Sequence, residues 1–164
     1  MKYIIIACVN KSNSLGLNGE LLYKIKKDLL NFKRMTTNNV VIMGKNTYDS
    51  LPIKPLKNRI NIVITNKDGC DEKENLYFVN SVESAINLCE RFFLDKEIFI
   101  IGGGMIYKEF INLATEMRLT IVNDDTKGDT FFPKFNENEW YTYYETLEQT
   151  EGNLSFIFKI LKRK

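Results

Sequence analysis

Hydrophobic and polar positions alternate in blocks along the chain. Short apolar runs rich in β-branched residues, such as YIIIACV at 3–9 and RINIVIT at 59–65, are typical of strands that are buried on both faces. Between these runs stand segments whose apolar residues recur at helical spacing. The predicted strands are 3–9, 40–44, 59–65, 76–79, 97–101, 117–122, 139–147 and 153–161. The predicted helices are 25–36, 45–51, 104–113 and one that runs from a cap at Ser81 to about Phe93.

This order of elements predicts a three-layer α/β fold. Strands that alternate with helices favour a central, mostly parallel sheet, here of about eight strands, with helices on both faces. Only a polar turn separates the last two predicted strands, so we expect an antiparallel C-terminal hairpin. Residues 10–22 are predicted to form a long loop, a length that favours a role such as covering a site, and residues 66–69 a turn. The length fits a single domain, residues 1–164.

The composition restricts the possible chemistry. The sequence contains no histidine, which excludes Ser-His-Asp and Cys-His catalysis, histidine-ligated zinc and the HExxH motif. No metal site is predicted. Any acid–base step must therefore use carboxylates, tyrosine, lysine or water.

Cysteine usage and charge restrict the compartment and the partners. Cys8, Cys70 and Cys89 form no CxxC motif, and their odd number fits reduced thiols in the cytoplasm. The start, MKYIIIACVN, is followed by no cleavage site, and no apolar stretch reaches about 18 residues, so neither a signal peptide nor a membrane span is expected. The net charge is only +2 and the longest basic run is KRK at 162–164, so a nucleic-acid partner is not expected.

Two predicted strands end in glycine where a helix begins. Three glycines, 102–104, follow the strand 97–101, and Gly44 precedes Lys45-Asn46-Thr47. Ligands of open α/β sheets bind at the carboxyl ends of strands, where bare glycine backbone and unpaired helix N–H groups suit a phosphate. A tight turn with close strand–helix packing is the alternative interpretation. The pattern is neither GxGxxG nor a P-loop, because Tyr107 and Asn39 stand where glycines are required.

One carboxylate interrupts an apolar helix face. Ile25, Leu29, Phe32 and Met35 recur at helical spacing, and Asp28 falls on the same stripe. Asp28 either complements the positive end of the helix dipole or is a partly buried carboxylate in an apolar cleft. The second alternative requires a partner. Since no histidine is available, a ligand with an amidine-like pair of N–H donors would fit it.

Other candidate residues have a structural and a functional interpretation. Arg59, at the start of a strand, is either a solvated arginine or a clamp for a ligand carboxylate. Thr120, in the apolar run MRLTIV, either bonds the backbone or supports Asp28. Phe32 and Tyr107 are by default core residues.

Eight segments, in their order and spacing, resemble dihydrofolate reductases over nearly the whole chain. They are IIIACV, LGLNGELLY, DLLNFKRMT, VIMGKNTYDSLP, PLKNRINIVIT, IIGGGMIY, LTIV and GDTFFP. The resemblance implies an oxidoreductase that converts 7,8-dihydrofolate to 5,6,7,8-tetrahydrofolate with NADPH, by hydride transfer to pterin C6 and protonation at N5, for one-carbon metabolism. It also implies a cytoplasmic enzyme that binds antifolate inhibitors. A monomer is the default expectation.

The resemblance assigns roles around the substrate. Asp28 matches the carboxylate that bonds pterin N3 and the 2-amino group and helps to raise the proton affinity of N5, with water as the donor. Thr120 matches the threonine that bonds this carboxylate, and Tyr23 can hold a water. Arg59 matches the arginine that binds the α-carboxylate of the glutamate tail. The implied substrate-binding residues are Ile5, Asp28, Phe32, Leu51, Leu56, Arg59, Ile101 and Thr120, with Ile5 and Ile101 acting through their backbone carbonyls.

It likewise assigns a cofactor site. The glycines 102–104 and Thr47 would receive the pyrophosphate, Lys45 and the turn 65–67 the adenosine 2′-phosphate, and Ala7 and Tyr107 would lie near the nicotinamide. Residues 14–24 would form a lid that excludes water, supported by the loop containing Gly128-Asp129. The implied cofactor-binding residues are Ala7, Leu15, Gly16, Leu17, Asn18, Gly19, Gly44, Lys45, Asn46, Thr47, Thr65, Asn66, Lys67, Ile101, Gly102, Gly103, Gly104, Met105, Ile106 and Tyr107.

The chain departs from the family pattern at three places. Leu21-Leu22-Tyr23 stands where Leu-Pro-Trp is usual, Met105 stands at an often basic position, and the start of the lid is one residue longer. Two other functions are compatible with parts of the pattern. These are the pyrimidine reductase of riboflavin synthesis, which would share the glycine junction but not Asp28 with Arg59, and a noncatalytic nucleotide-binding module.

Overall fold

The computed structural model describes residues 1–67 and 73–164. Cys70 and the last part of the predicted turn 66–69 lie outside the described residues. The strands are β1 Tyr3–Asn10, β2 Ser14–Leu17, β3 Glu20–Leu21, β4 Val40–Gly44, β5 Ile60–Ile64, β6 Leu76–Val79, β7 Ile98–Gly102, β8 Glu116–Val122, β9 Thr130–Phe131, β10 Trp140–Glu145, β11 Gln149–Glu151 and β12 Leu154–Arg163. The helices are α1 Lys26–Thr36, α2 Lys45–Ser50, α3 Val82–Phe92 and α4 Gly104–Phe110.

The main sheet has the order β10-β12-β8-β1-β7-β4-β5-β6, with β11 also paired to β12. All neighbours from β8 to β6 are parallel, whereas β12 is antiparallel to β8, β10 and β11. The predicted mostly parallel sheet with an antiparallel C-terminal hairpin is therefore confirmed. Since the parallel strands share one direction, their carboxyl ends meet at one edge.

Alternate residues of the central strands enter two hydrophobic cores on opposite faces of the sheet. Ile5, Ile42 and Ile100 pack in the core that receives Ala85 and Cys89 of α3 and Tyr107 and Phe110 of α4. Ile4, Met43 and Phe99 pack in the core that receives Phe32 and Met35 of α1 and Tyr48 of α2. Helices thus cover both faces, as the continuous apolar runs predicted.

The two long helices begin in different ways. Ser81 caps α3 as predicted, because its hydroxyl accepts a hydrogen bond from the Ser84 N–H at 3.0 Å. The residue before α1, Ile25, has no capping side chain. The Glu151 carboxylate on β11 accepts from the N–H groups of Lys26 and Lys27 instead, at 2.7 and 3.2 Å. The C-terminal hairpin therefore holds the helix that carries Asp28.

The predicted loop 10–22 is wrong in part, because two strands form within it. β2 and β3 make a hairpin whose turn residues, Asn18 and Gly19, have positive φ of 53° and 78°. An Asn-Gly pair at this turn is a strong hairpin signal that the polar composition of the segment concealed. β9 pairs with β2 and completes a small second sheet.

Candidate active site

A crevice opens between two parallel strands at the carboxyl edge of the sheet. The pairing of β1 with β7 ends at Ile5 and Ile100, whereas β1 continues beside β8 to its last residue, Asn10. The Ile6 carbonyl accepts a hydrogen bond from the buried phenol of Tyr107 at 2.8 Å. Beyond Ile5 and Ile100, therefore, β1 and β7 are not paired, and the Tyr107 phenol bonds β1 there instead.

Asp28 and Thr120 form a hydrogen-bonded pair beside this crevice. The Thr120 hydroxyl, on β8 and 4% exposed, donates to Asp28 Oδ1 at 2.5 Å. Burial raises the pKa of Asp28 above its usual range, nearby Glu151 adds to the rise, and the bond from Thr120 opposes it. Asp28 is thus a half-buried carboxylate rather than a solvated helix-end charge, and Oδ2 accepts no hydrogen bond from the described residues.

A cavity of about 410 Å³ adjoins the pair on one side of α1. Asp28, Thr120 and Met35 line it together with Asn31 and Arg118. Phe32, Leu51, Leu56 and Ile101 pack against the core that contains Ile4, Ile6 and Met43. The predicted substrate-ring residues therefore belong to one core, to which α1 contributes Phe32 and Met35.

The predicted apolar stripe of α1 is buried unevenly. Ile25 is 1% exposed and Phe32 and Met35 pack against the core, but Leu29 is 42% exposed. Leu29 therefore lies at the solvent-exposed border of the stripe.

Arg59 is buried, with 9% of its surface exposed, and is not a solvated surface arginine. Its Nε donates to the Lys57 carbonyl at 2.9 Å and its Nη1 to the Thr36 hydroxyl at 3.2 Å. Within the described parts of the chain no carboxylate forms an ion pair with it, and burial lowers its pKa. The rest of the guanidinium fork is available for an anionic ligand.

Two of the three successive glycines are required by close packing, and the third is not. Gly102 has φ of +116°, and a Cβ there would lie 3.2 Å from the Tyr107 ring. A Cβ at Gly104 would lie 2.9 Å from the Phe131 carbonyl of β9. Close packing therefore accounts for these two positions. At Gly103, whose peptide bond to Gly102 is cis, a Cβ would meet only the Thr47 hydroxyl, at 3.4 Å. Among the described residues, none crowds Gly103 closely enough to require glycine there.

Cations lie around Asp49 at the neighbouring strand ends. Lys45 bonds the Asp49 carboxylate at 2.5 Å, and this bond, with Lys54 and Lys67 nearby, holds the pKa of Asp49 below its usual range. The Lys67 N–H donates to the Thr65 hydroxyl at 3.1 Å, which organises the turn that follows β5. Of the other predicted cofactor residues, Asn46 and Asn66 are exposed, Met105 is 80% exposed, and Ile106 packs against Gly44.

The predicted lid is held by the loop after β8. The Asn18 N–H donates to the Asp129 carboxylate at 3.0 Å, and the Asp129 N–H donates to the Gly16 carbonyl at 2.9 Å. Leu15 is buried in the core and Leu17 is 42% exposed, so only part of the segment is available to a ligand. A Cβ at Gly128 would lie 2.0 Å from the Gly16 carbonyl, so this loop requires glycine to approach the lid.

Sequence analysis missed the polar residues at the base of this lid. Asn10 is 2% exposed, and its side chain accepts from the N–H groups of Ser12 and Ser14 at 3.0 Å each. Asn followed by serines is typical of an Asx turn, and this signal could have identified Asn10. Its other partners, Tyr23 and Thr126, are distant in sequence and give no local signal.

Known proteins resemble this chain over its whole length. The family model for dihydrofolate reductase matches residues 2–163. The dihydrofolate reductase of Haemophilus influenzae is 32% identical over 166 residues, covering 100% of both chains. That of Neisseria gonorrhoeae is 36% identical over 156 residues, covering 94% of this chain and 91% of its own. That of Pneumocystis carinii is 32% identical and covers 86% of this chain and 79% of its own. The chain belongs to the dihydrofolate reductase family.

Proposed function

We propose that this chain reduces 7,8-dihydrofolate to 5,6,7,8-tetrahydrofolate with NADPH. As a member of its family the chain is an oxidoreductase. The observation that carries the substrate assignment is the half-buried Asp28 paired with Thr120 beside the crevice of the sheet. Bound NADPH supplies a hydride from nicotinamide C4 to pterin C6, and N5 of the pterin gains a proton.

Asp28 binds the pterin and favours its protonation. Because Thr120 donates to Oδ1, Oδ2 and the remaining lone pair of Oδ1 can accept from N3–H and the 2-amino group. The ionised carboxylate lies in low-dielectric surroundings, so it stabilises positive charge that develops on the pterin. This raises the proton affinity of N5, and water is the immediate proton donor.

The rest of the substrate follows the wall of α1. Phe32, Leu51 and Leu56 pack around the pterin and aminobenzoyl rings, while the backbone carbonyls of Ile5 and Ile101 lie beside the pterin. Arg59 binds the α-carboxylate of the glutamate tail. Its burial and the lack of a carboxylate partner within the described ranges support this role, since an anionic ligand would offset the cost of burying the guanidinium.

The neighbouring strand ends fit NADPH. The open backbone at Gly103, with Thr47 opposite, suits the pyrophosphate. Lys45, which pairs with the Asp49 carboxylate, and Lys67, which is also near it, are cations that suit the 2′-phosphate. Ala7 and Tyr107 border the nicotinamide half of the cofactor. The lid, residues 14–24, covers this half and excludes water from it.

Several further predictions stay part of the proposal. The chain forms one domain, residues 1–164, and acts as a cytoplasmic monomer that antifolates inhibit. Cys8 and Cys89 are free thiols, which fits a reducing compartment. Separately, none of the helices in the described ranges has the length and hydropathy needed to cross a bilayer.

The test is dihydrofolate-dependent oxidation of NADPH, followed by the near-ultraviolet absorbance of the cofactor. Asp28→Asn should lower turnover at neutral pH by about 100-fold or more and still bind NADPH. Asp95→Asn, an exposed acid with 78% of its side chain accessible, is the matched control and should keep full activity. Normal turnover by Asp28→Asn would refute the role of the carboxylate. A wild-type chain that binds NADPH without oxidising it would favour the noncatalytic alternative.

A further inference from the structure

The side chain of Asn10 uses its whole hydrogen-bonding capacity in two directions. Its Oδ1 accepts from the N–H groups of Ser12 and Ser14, at the start of the lid. Its Nδ2 donates to the Tyr23 hydroxyl at 2.9 Å, at the end of the lid, and to the Thr126 carbonyl at 2.7 Å, in the loop after β8. One buried amide thus joins both ends of the lid to the loop that supports it.

The Tyr23 hydroxyl is the second member of this network. It donates to the Asp124 carboxylate while it accepts from Asn10. Burial and the bond to Asp124 raise the pKa of Tyr23 to about 12, and the same bond holds the pKa of Asp124 below its usual range. At neutral pH Asp124 is therefore ionised and Tyr23 keeps its proton, so the charge-assisted hydrogen bond between them persists. Since the hydroxyl proton is directed to Asp124, any water bound at Tyr23 must donate to it.

The network is anchored to the protein core. The Tyr23 ring packs against the cluster of Ile25, Val122 and Phe156. The Lys11 N–H donates to the Asp124 carbonyl at 3.0 Å, which ties the start of the lid to the same loop. At the tip, by contrast, the lid is held by the exposed bond from Asn18 to Asp129. The base of the lid is therefore held by a partly buried network, whereas its tip is held by a hydrogen bond at the exposed surface.

We propose that Asn10 is a positioning residue for the reaction. Acting through Tyr23, it holds both ends of the segment 14–21 so that the hairpin closes over the nicotinamide half of the cofactor. A hairpin with fixed ends loses less conformational entropy on closing than one with free ends. The inference rests on the proposed function and adds to it the residue that holds the lid in position for the reaction.

The first experiment compares two ligands that reach the lid to different extents. NADPH extends under the lid, whereas adenosine 2′,5′-bisphosphate occupies only the far half of the cofactor site. Asn10→Ala should weaken NADPH binding by about tenfold and leave bisphosphate binding within about twofold of wild type, both measured by titration calorimetry. An equal loss for both ligands, or no loss for NADPH, would overturn the inference.

Asn39→Ala is the matched control. Asn39 also joins separate segments, since it donates to the Met35 and Thr37 carbonyls and accepts from the Glu97 N–H. It lies in the connection between α1 and β4, away from the lid. Its removal should lower stability without changing the ratio of the two affinities. A change of that ratio equal to the one in Asn10→Ala would mean that general loosening causes the effect, and the inference would fail.

Tyr23→Phe tests the same network by removing only the hydroxyl. It should reproduce the selective loss of NADPH affinity, so it decides the question even if Asn10→Ala does not fold. In the double variant the two losses should be strongly non-additive, because each variant breaks the same bond. Additive losses would show that Asn10 does not act through Tyr23.

Limited trypsin digestion gives a readout that needs no cofactor. The exposed Lys11 precedes the lid, and the exposed Lys24 is its last residue. Asn10→Ala should be cleaved several-fold faster at these two sites and at the wild-type rate elsewhere. Faster cleavage throughout the chain would contradict the inference. If the wild type oxidises NADPH with dihydrofolate but these selective effects are missing, only the role of Asn10 fails; absence of wild-type oxidation refutes the proposed function itself.

Discussion

The substrate half of the site uses buried charged side chains, whereas the cofactor half uses open main chain and cations near the surface. In the substrate half, Asp28 and Arg59 are charged side chains withdrawn from water. In the cofactor half, Gly103 leaves the main chain open and Lys45 and Lys67 stay at or near the surface. Buried charges interact strongly and resist screening by salt, while exposed charges are screened within about 10 Å at ordinary ionic strength. We therefore expect the first half to decide which ligand binds and the second half to set affinity according to ionic strength.

The largest effect should come from Arg59, the buried cation. Arg59→Ala should raise KM for dihydrofolate by roughly 100-fold with little change in kcat, since loss of one partner of a buried charge pair costs about 2–5 kcal/mol. The same variant should reduce 7,8-dihydropteroate, which lacks the glutamate, as well as the wild type does. Steady-state kinetics with the two substrates measure the difference.

The variant Arg59→Lys distinguishes a role of Arg59 in substrate binding from a role in stabilising the fold. It keeps the charge but not the two-pronged fork, so it should recover stability and only part of the affinity for dihydrofolate. Equal losses for both substrates would show that Arg59 supports the fold and not the glutamate tail.

The second-largest effect distinguishes the role of Gly103 from that of Gly104. Gly103→Ala should weaken NADPH binding by about tenfold with unchanged stability, because its Cβ would occupy the space proposed for the pyrophosphate. Gly104→Ala should instead lower the free energy of unfolding by about 1–3 kcal/mol, because its Cβ would meet the Phe131 carbonyl. Thermal unfolding and NADPH titration of both variants test this. Unchanged NADPH affinity in Gly103→Ala would contradict the assignment of the pyrophosphate to Gly103.

The contrast between the two halves also explains which features of the fold and the site could be predicted from the sequence. The strands from 3–9 to 117–122 were predictable because a parallel sheet with two covered faces requires continuous β-branched runs. Asp28 was identifiable because helical spacing makes a carboxylate on an apolar stripe a local anomaly. The burial of Arg59 was not, since it depends on Thr36 from another element. The need for glycine at position 104 was not predictable either, because the Phe131 carbonyl that imposes it lies 27 positions further along the chain.

A third, smaller effect concerns the exposed cations. Lys67→Ala should weaken NADPH binding by about fivefold at low salt, the equivalent of about 1 kcal/mol, and the difference should shrink as salt is added. NADH lacks the 2′-phosphate and should bind both proteins equally. Lys96→Ala, beyond α3, is the control. A loss of NADH affinity as large as that of NADPH would remove Lys67 from the 2′-phosphate site.

The smallest effect is on stability, and it has the opposite sign to the effect of the same substitution on activity. Because burial raises the pKa of Asp28 in the folded state, this carboxyl keeps its proton in the folded protein at pH values above 3.8 at which the unfolded chain has lost it. The contribution of Asp28 to stability therefore falls as pH rises from 3.8 through its raised folded-state pKa, and the ionised carboxylate is destabilising at neutral pH. Asp28→Asn keeps an oxygen that can accept from Thr120 and removes the charge, so its Tm at neutral pH should exceed that of the wild type by about 2–4 °C. The advantage should disappear as the pH falls below the usual carboxyl range, and Asp95→Asn should show no such gain. A less stable Asp28→Asn at neutral pH would mean that the carboxylate is favourably solvated in the free protein, and the contrast between a buried and an exposed half would no longer hold.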